Sequence, residues 1–203
     1  SASLVGSEMC IRDSHYMMPH VVESGNGKLL EKKVLAIHRL KTAAPAGYMA
    51  QVGATLGGGT EEQTAALGEY YETLGVAFQI VDDVLNLRGF EDDMKSKGED
   101  IAEGKITFPV AKAMSSLNAK ERKAMWDIIK TKPQDRKDIG KVIDMINACG
   151  ALEACDRQAR LIINRAWRKL DPLVRDSYVK MMLRAFSWYI SVSYTHLRAH
   201  ETS

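Results

Sequence analysis

What this sequence has little of narrows its class first. Only three cysteines occur in 203 residues, Cys10, Cys149 and Cys155. They make neither a CxxC pair nor a zinc spacing, so they read as buried or half-buried thiols of a reducing compartment, cytoplasm or plastid. No apolar run approaches the ~20 residues that span a bilayer. The segment from Met181 to Val192 is apolar but short, with Arg184 inside it, and reads as a core helix. A formal net charge of +2 leaves no electrostatic surplus for nucleic acid, and aromatic-flanked basic stripes are missing. Period-2 alternation is absent, which argues against strands. Internal repeats and low-complexity linkers are absent too. What remains, 45% hydrophobic and 27% charged residues, is the composition of an ordinary domain with one core.

The two ends differ from the rest. Residues 1–14 and 192–203 share no period with their neighbours and resemble adapter-derived translation. They are expected to be non-native tails around a domain covering 15–191, so that Cys10, His196 and His200 carry no chemistry.

Within 15–191 apolar residues recur at three and four, so the expected class is all-α. Leu29, Leu30, Val34, Leu35, Ile37 and Leu40 lead into an Ala/Gly-rich stretch, giving one or two buried helices around Pro45. Gly57-Gly58-Gly59 is a stop rather than a phosphate loop, because no Lys-Ser/Thr follows. Thr60-Glu61-Glu62-Gln63 reads as a capping box. A long helix should follow, with Leu67, Tyr70, Tyr71, Leu74, Ala77, Phe78, Val81, Val84 and Leu85 apolar, ending near Arg88-Gly89. After a charged loop from Glu91 to Lys105, Pro109 opens a helix and Asn118 caps the next, which runs to Ile129. A further helix ends near Gly150, then come Ala151 to Leu170 and Pro172 to Ile190, the last with Asp171 as its cap.

The strongest chemical signal is Phe78-Gln79-Ile80-Val81-Asp82-Asp83-Val84-Leu85-Asn86. Asp82 and Asn86 are four apart and share a face, and Asp83 lies about 100° round the helix. Acids facing a helical core need compensation. A hard cation such as Mg²⁺ supplies it, and so does pairing with Lys or Arg at an acidic helix end; spacing alone leaves both open. The segment Asp92 to Lys105 then sets Lys95 and Lys105 around a glycine-bearing loop, where a long-stemmed ammonium suits phosphate. A solvated charged loop is the bland alternative. Lys41-Thr42 precedes small residues and either reaches a diphosphate or merely closes a helix C-terminus.

Taken in order, Lys41-Thr42, then Phe78-Gln79-x-x-Asp82-Asp83, then Gly98-x-Asp100-x-x-x-Gly104-Lys105 with Thr107 and Pro109, the sequence resembles trans-isoprenyl diphosphate synthases. The resemblance is specific from about Lys28 to Ala113 and looser to Ile190. It implies the isoprenoid-synthase helical bundle, a Mg²⁺ cofactor, and two substrates, an allylic diphosphate and isopentenyl diphosphate. It also implies a homodimer and geranylgeranyl-type products. Asp82 and Asp83 match the second aspartate-rich motif, which binds metal, with Asn86 at its third acidic position. Gln79 matches the glutamine lining that site, Lys41, Thr42 and Lys95 match residues on the diphosphate, and Lys105 and Asp100 hold the loop and add charge. No protein nucleophile is needed for that reaction, in keeping with the lack of a Ser/His or Cys/His pair.

Two positions depart from the family pattern. Asn86 replaces an aspartate, keeping an oxygen donor but no charge, and Met94 stands where a glycine often precedes the lysine. The family's first aspartate-rich motif has no counterpart before Lys28, where Glu23 is the only acid after Ser14. The bundle is therefore expected to be incomplete at its N-terminal side and inactive alone. The retained Lys41, Asp82, Asp83, Lys95 and Lys105 argue against a non-catalytic subunit of the same fold. The Lys-Thr and Gly-Lys elements argue against a terpene cyclase.

Overall fold

The computed structural model describes residues 14–89 and 97–192. Lys95, like residues 1–13 and 193–203, lies outside the described residues. Every regular element among the described residues is helical. In chain order these are α1 (residues 14–24), α2 (Gly27–His38), a π-helix (Arg39–Ala43), α3 (Ala44–Leu56) and α4 (Glu61–Arg88). There follow α5 (Glu99–Ala102), α6 (Phe108–Ser116), α7 (Ala119–Ile129), α8 (Arg136–Ala148), α9 (Ala151–Leu170), a 3₁₀ turn (Asp171–Leu173) and α10 (Tyr178–Val192). The chain divides into two compact units, residues 1–37 with 82–155, and residues 38–81 with 156–203.

In the first unit, α1 is an element that the sequence reading, whose helices begin near Lys28, did not assign; Pro19 sits inside it. Its buried residues Ser14, Met18 and Val21 recur at four and three, the spacing of one helical face. Arg122 fixes its end: Nε donates to the Val22 carbonyl at 2.9 Å, and Nη1 to the Leu117 carbonyl at 2.6 Å. Carbonyls near helix ends lack intrahelical donors, and the guanidinium supplies them. The sequence signals for α7 hold. Asn118 accepts from the Glu121 amide at 3.0 Å, while the Glu121 carboxylate accepts from the Asn118 amide, also at 3.0 Å. Helix α8 is amphipathic, with Ile139, Val142, Ile143 and Ile146 buried. Each such side chain contributes roughly 1.5–3 kcal/mol on burial.

In the second unit the expected capping box opens α4. Thr60 N–H donates to Gln63 Oε1 at 3.0 Å, and Gln63 N–H to Thr60 Oγ1 at 3.2 Å. Tyr70, Leu74, Ala77 and Ile80 are then buried along this helix. Tyr70 donates to the Leu183 carbonyl at 3.2 Å, and its ring lies 5.6 Å from that of Trp167.

Four expectations need correction. Lys41-Thr42 does not end a helix: it lies in the π-helix, where the Ala44 amide reaches back five residues to the Arg39 carbonyl. Pro45 is the physical reason. It has no N–H to continue the α ladder, and its ring would crowd the carbonyl four residues earlier, that of Lys41. The stretch around Pro45 is not wholly buried either, since Tyr48, Met49, Val52 and Leu56 are exposed. Phe78 points outward on α4 at 51% exposure, because Leu74, Ala77 and Val81 already hold the buried face. The last helix starts at Tyr178 rather than Pro172, and it is not a core helix: Met181, Met182, Phe186, Trp188 and Tyr189 are exposed, while Ser187 and Ile190 are buried. Lys180 breaks the expected helix by gathering the Asp171 and Val174 carbonyls at 2.8 and 3.0 Å and the Asp176 carboxylate at 2.9 Å. Ser177, not Asp171, caps α10, its Oγ accepting from the Lys180 amide at 3.2 Å.

The approach of the π-helix to α4 yields a test within this unit. A Cβ on Gly75 would stand 2.6 Å from Ala43 Cα, a backbone atom that cannot swing aside. Gly75→Ala is expected to destabilise by about 1–3 kcal/mol in urea unfolding, despite alanine's better helix propensity. A variant as stable as wild type would mean that the two elements do not touch there.

Candidate active site

The acidic turn closes α4. Apolar residues bury its other sides, with Val84 and Leu87 at or near zero exposure, and Gly89 ends the helix at φ +82°. The two adjacent acids are treated differently by the fold. Asp82 is exposed, whereas Asp83 is 8% exposed. Its Oδ2 accepts a 2.8 Å hydrogen bond from the Phe108 amide, the first amide of α6. A carboxylate there answers both the open amides of a helix N-terminus and its positive dipole end.

Asn86 holds residues 98–100. Its carbonyl accepts from the Gly98 amide at 2.8 Å, and its Oδ1 accepts from the Asp100 amide at 3.3 Å. Gly98 is buried at φ +78°, and a Cβ there would stand 2.4 Å from Ile139 Cγ2. Glycine is thus required twice, by backbone conformation and by space. Residues 99–102, expected as loop, make the single turn α5. Gly104 follows at φ +73°, and its carbonyl meets His15 Nε2 of α1 at 2.6 Å. His15 also stands edge-on to Trp126, with centroids 5.2 Å apart.

Lys105 lies against carboxylates, its Nζ 2.9 Å from Asp100 Oδ1 and 2.6 Å from Glu103 Oε2. Burial lowers its pKa, but the hydrogen bonds it donates to Glu103 and then Asp100 outweigh that and raise it above the ordinary lysine value. The ammonium therefore persists through the neutral range, on a segment whose Asp100 is joined to the acidic turn through Asn86. Lys97, beside Gly98, is exposed.

Of the sequence-predicted residues, the structure joins Asn86, Asp100 and Lys105 in one hydrogen-bonded chain, and Asp83, one turn before Asn86 on α4, to the Phe108 amide. Asp82 stands on the same turn and faces out. Gln79, half-buried, is one helical turn earlier on α4. Lys41 is exposed and Thr42 half-buried on the π-helix. Lys95 lies outside the described residues.

Oxygen donors of this kind suit a hard divalent ion, which is commonly held by one or two carboxylates plus waters and substrate phosphates. The donor set therefore fits Mg²⁺ as one side of its shell. Among the described residues, no three of His, Cys, Asp and Glu are placed to hold an ion by themselves. Sequence reasoning missed Glu103 as the second partner of Lys105, and it missed His15 at the Gly104 carbonyl. The first was legible as a carboxylate two residues away; the second, 89 residues away in sequence, carried no local signal.

The polyprenyl synthetase family model matches residues 17–146, most of the described chain and all of this assembly except the start of α1. The chain belongs to the polyprenyl synthetase family. The match begins inside α1, earlier than the Lys28 from which the motifs suggested it. Among relatives, the chain is 33% identical over 144 residues to a short chain isoprenyl diphosphate synthase of Methanothermobacter thermautotrophicus, covering 70% of this chain and 44% of that protein. It is 31% identical over 164 residues to a geranylgeranyl diphosphate synthase of Methanosarcina mazei, covering 80% of this chain and 48% of that one. The crystal structure of a polyprenyl synthase from Roseobacter denitrificans superposes with a TM-score of 0.72 at 32% identity, over 94% of this chain and 61% of that one. This polyprenyl synthetase-family chain thus spans about half the length of the curated relatives it matches. The all-α isoprenoid-synthase fold is the one expected from the motifs.

The Lys105 ion pairs give a pH test. A lysine whose folded pKa is raised stabilises fully below its unfolded value and loses that contribution only as pH climbs through the folded value. The stability lost in Lys105→Gln is therefore expected to stay constant from about pH 6 to about pH 9 in urea titrations. No loss at any of these pH values would show the pairs to be absent in solution, and a loss that fades within the range would mean that burial lowers the lysine's pKa instead.

Proposed function

We propose that this chain is the metal-and-diphosphate-binding part of a prenyltransferase that joins an allylic diphosphate to isopentenyl diphosphate. The observation that carries the reading is the assembly at the end of α4, where an exposed acid adjoins a loop holding a charged lysine. Family membership and the relatives' names support the same reaction class. A geranylgeranyl product belongs to the same proposal, supported by the relative named geranylgeranyl diphosphate synthase.

In this reading the acidic turn Asp82, Asp83 and Asn86 is the metal-binding element. Mg²⁺, when bound, would neutralise charge on the diphosphate leaving group. Lys105 adds positive charge beside that turn, and the resemblance assigns Lys95 and Lys41 to the diphosphate as well. Asp100 holds Lys105 in place by its carboxylate at 2.9 Å. Thr42 and Gln79 complete the family set. The apolar walls of such a bundle exclude water, which would otherwise quench a carbocation. Homodimerisation belongs to the same reading. Among the described residues no helix is long and apolar enough to cross a membrane.

In the intact synthase, Asp82→Ala is expected to lower turnover by about a hundredfold or more while far-UV circular dichroism stays unchanged. The assay is incorporation of labelled isopentenyl diphosphate with Mg²⁺ and an allylic diphosphate. Wild-type turnover in that variant would remove the metal-binding role of this turn.

A further inference from the structure

Lys105 has two carboxylate partners, Asp100 and Glu103, and both sit on its own segment. Those pairs hold the charge but do not place the segment in the fold. Asn86 holds the segment's start, and the Phe108 amide is held at its far side. The residue next to Lys105 is fixed by another element. Gly104 is buried at φ +73°, and a Cβ on it would stand 3.0 Å from Lys132 Cγ and 3.3 Å from the Ile129 carbonyl oxygen. Its own carbonyl is answered by His15 of α1, whose Nε2 lies 2.6 Å away. A buried carbonyl needs such a donor. A carbonyl only accepts, so Nε2 carries the proton in this contact; the neutral Nε2–H form and the imidazolium both supply it. His15 is itself set edge-on against Trp126, with ring centroids 5.2 Å apart and planes at 74°. Arg122 holds the other end of α1 at the Val22 carbonyl.

From this joint we infer that His15 is a positioning residue: through the Gly104 carbonyl it sets the backbone from which the Lys105 ammonium reaches a diphosphate. The inference rests on the diphosphate-binding role proposed for Lys105. The physical link is the peptide plane. The Gly104 carbonyl oxygen, the Lys105 amide and the Lys105 Cα are coplanar and turn as one unit. His15 holds the oxygen of that plane, and the Asp100 carbonyl holds its N–H at 2.8 Å. With both sides of the plane held, the origin of the lysine side chain is fixed. Release of the oxygen frees the plane to turn and moves the point from which the ammonium extends. His15 needs no contact with the ligand for this, and what it supplies is a donor, not a charge.

The experiment measures the affinity of the 203-residue protein for inorganic pyrophosphate with Mg²⁺ by calorimetry. It compares wild type, His15→Phe, His15→Gln, Lys105→Gln and the double variant His15→Phe with Lys105→Gln. Phenylalanine keeps a ring against Trp126 and loses the donor; glutamine keeps a donor of similar reach. Lys105→Gln is expected to weaken pyrophosphate by about tenfold or more, the loss of a charged partner. His15→Phe is expected to weaken it by about fivefold, and His15→Gln to stay within about twofold of wild type. In the Lys105→Gln background His15→Phe is expected to cost nothing further, because the histidine acts through that lysine; a general loosening of the fold would add to the loss instead. Full affinity in His15→Phe beside a weakened Lys105→Gln would overturn the inference alone, and so would an additive loss in the double variant. Full affinity in Lys105→Gln, or no binding by wild type, would remove the diphosphate reading and this inference with it. Should His15→Phe fail to fold, the ¹⁵N signals of the His15 ring in wild type decide. Nε2 is expected to carry the proton, and its signal to move at the midpoint of pyrophosphate binding. Protonation of Nδ1 alone, or a signal that stays in place, would overturn the inference.

Discussion

A carboxylate buried at the end of a long helix must be answered by donors, and Asp83 is answered by the first amide of α6 at 2.8 Å. Burying an ionised acid without such donors costs several kcal/mol. Once made, the bond does more than satisfy the acid. It ties the end of α4 to the start of α6, and so it sets the span that residues 97–107 must cross. Asn86 takes up the start of that segment, holding the Gly98 and Asp100 amides. Gly98 packs against Ile139 with no room for a side chain, and Lys105 closes the segment on Asp100 and Glu103.

This anchoring explains how acids and a lysine can be concentrated at one end of a helix without neutralising each other's function. Asp100 and Glu103 keep Lys105 charged, and Asn86 contributes oxygens without adding charge. Asp82 is left exposed on the turn, while its neighbour is spent on the backbone. A site for a divalent ion and a diphosphate needs both signs of charge held in fixed positions before the ligand arrives.

Much of this was legible in the residues. Capping at Thr60 and Asn118, the end of α4 at Gly89, and the start of α9 follow from local hydrogen-bond chemistry, and local chemistry is what a sequence shows. The acidic turn and the glycine–lysine loop were legible for the same reason. What stayed hidden was non-local or competitive. Helix α1 went unassigned, and its end is held by Arg122 a hundred residues later. Asp171-Pro172 carried every sign of a helix start, yet Lys180 drew the following carbonyls into a turn and Ser177 capped α10 instead. The apolar stretch at Met181 read as core because hydropathy counts residues and not neighbours. The unequal fates of Asp82 and Asp83 were invisible, since periodicity gives an angle round a helix but not which element meets it.

The central claim is that the end of α4 and the 97–107 segment form one binding surface for a divalent ion with a diphosphate. Paramagnetic broadening of backbone amide signals on adding Mn²⁺ with inorganic pyrophosphate tests it most directly. The account predicts that the amides of Asp82, Asp83, Asn86 and Lys105 broaden first, ahead of those on α8 or α10. Broadening centred elsewhere, or spread evenly over the exposed carboxylates, would contradict it.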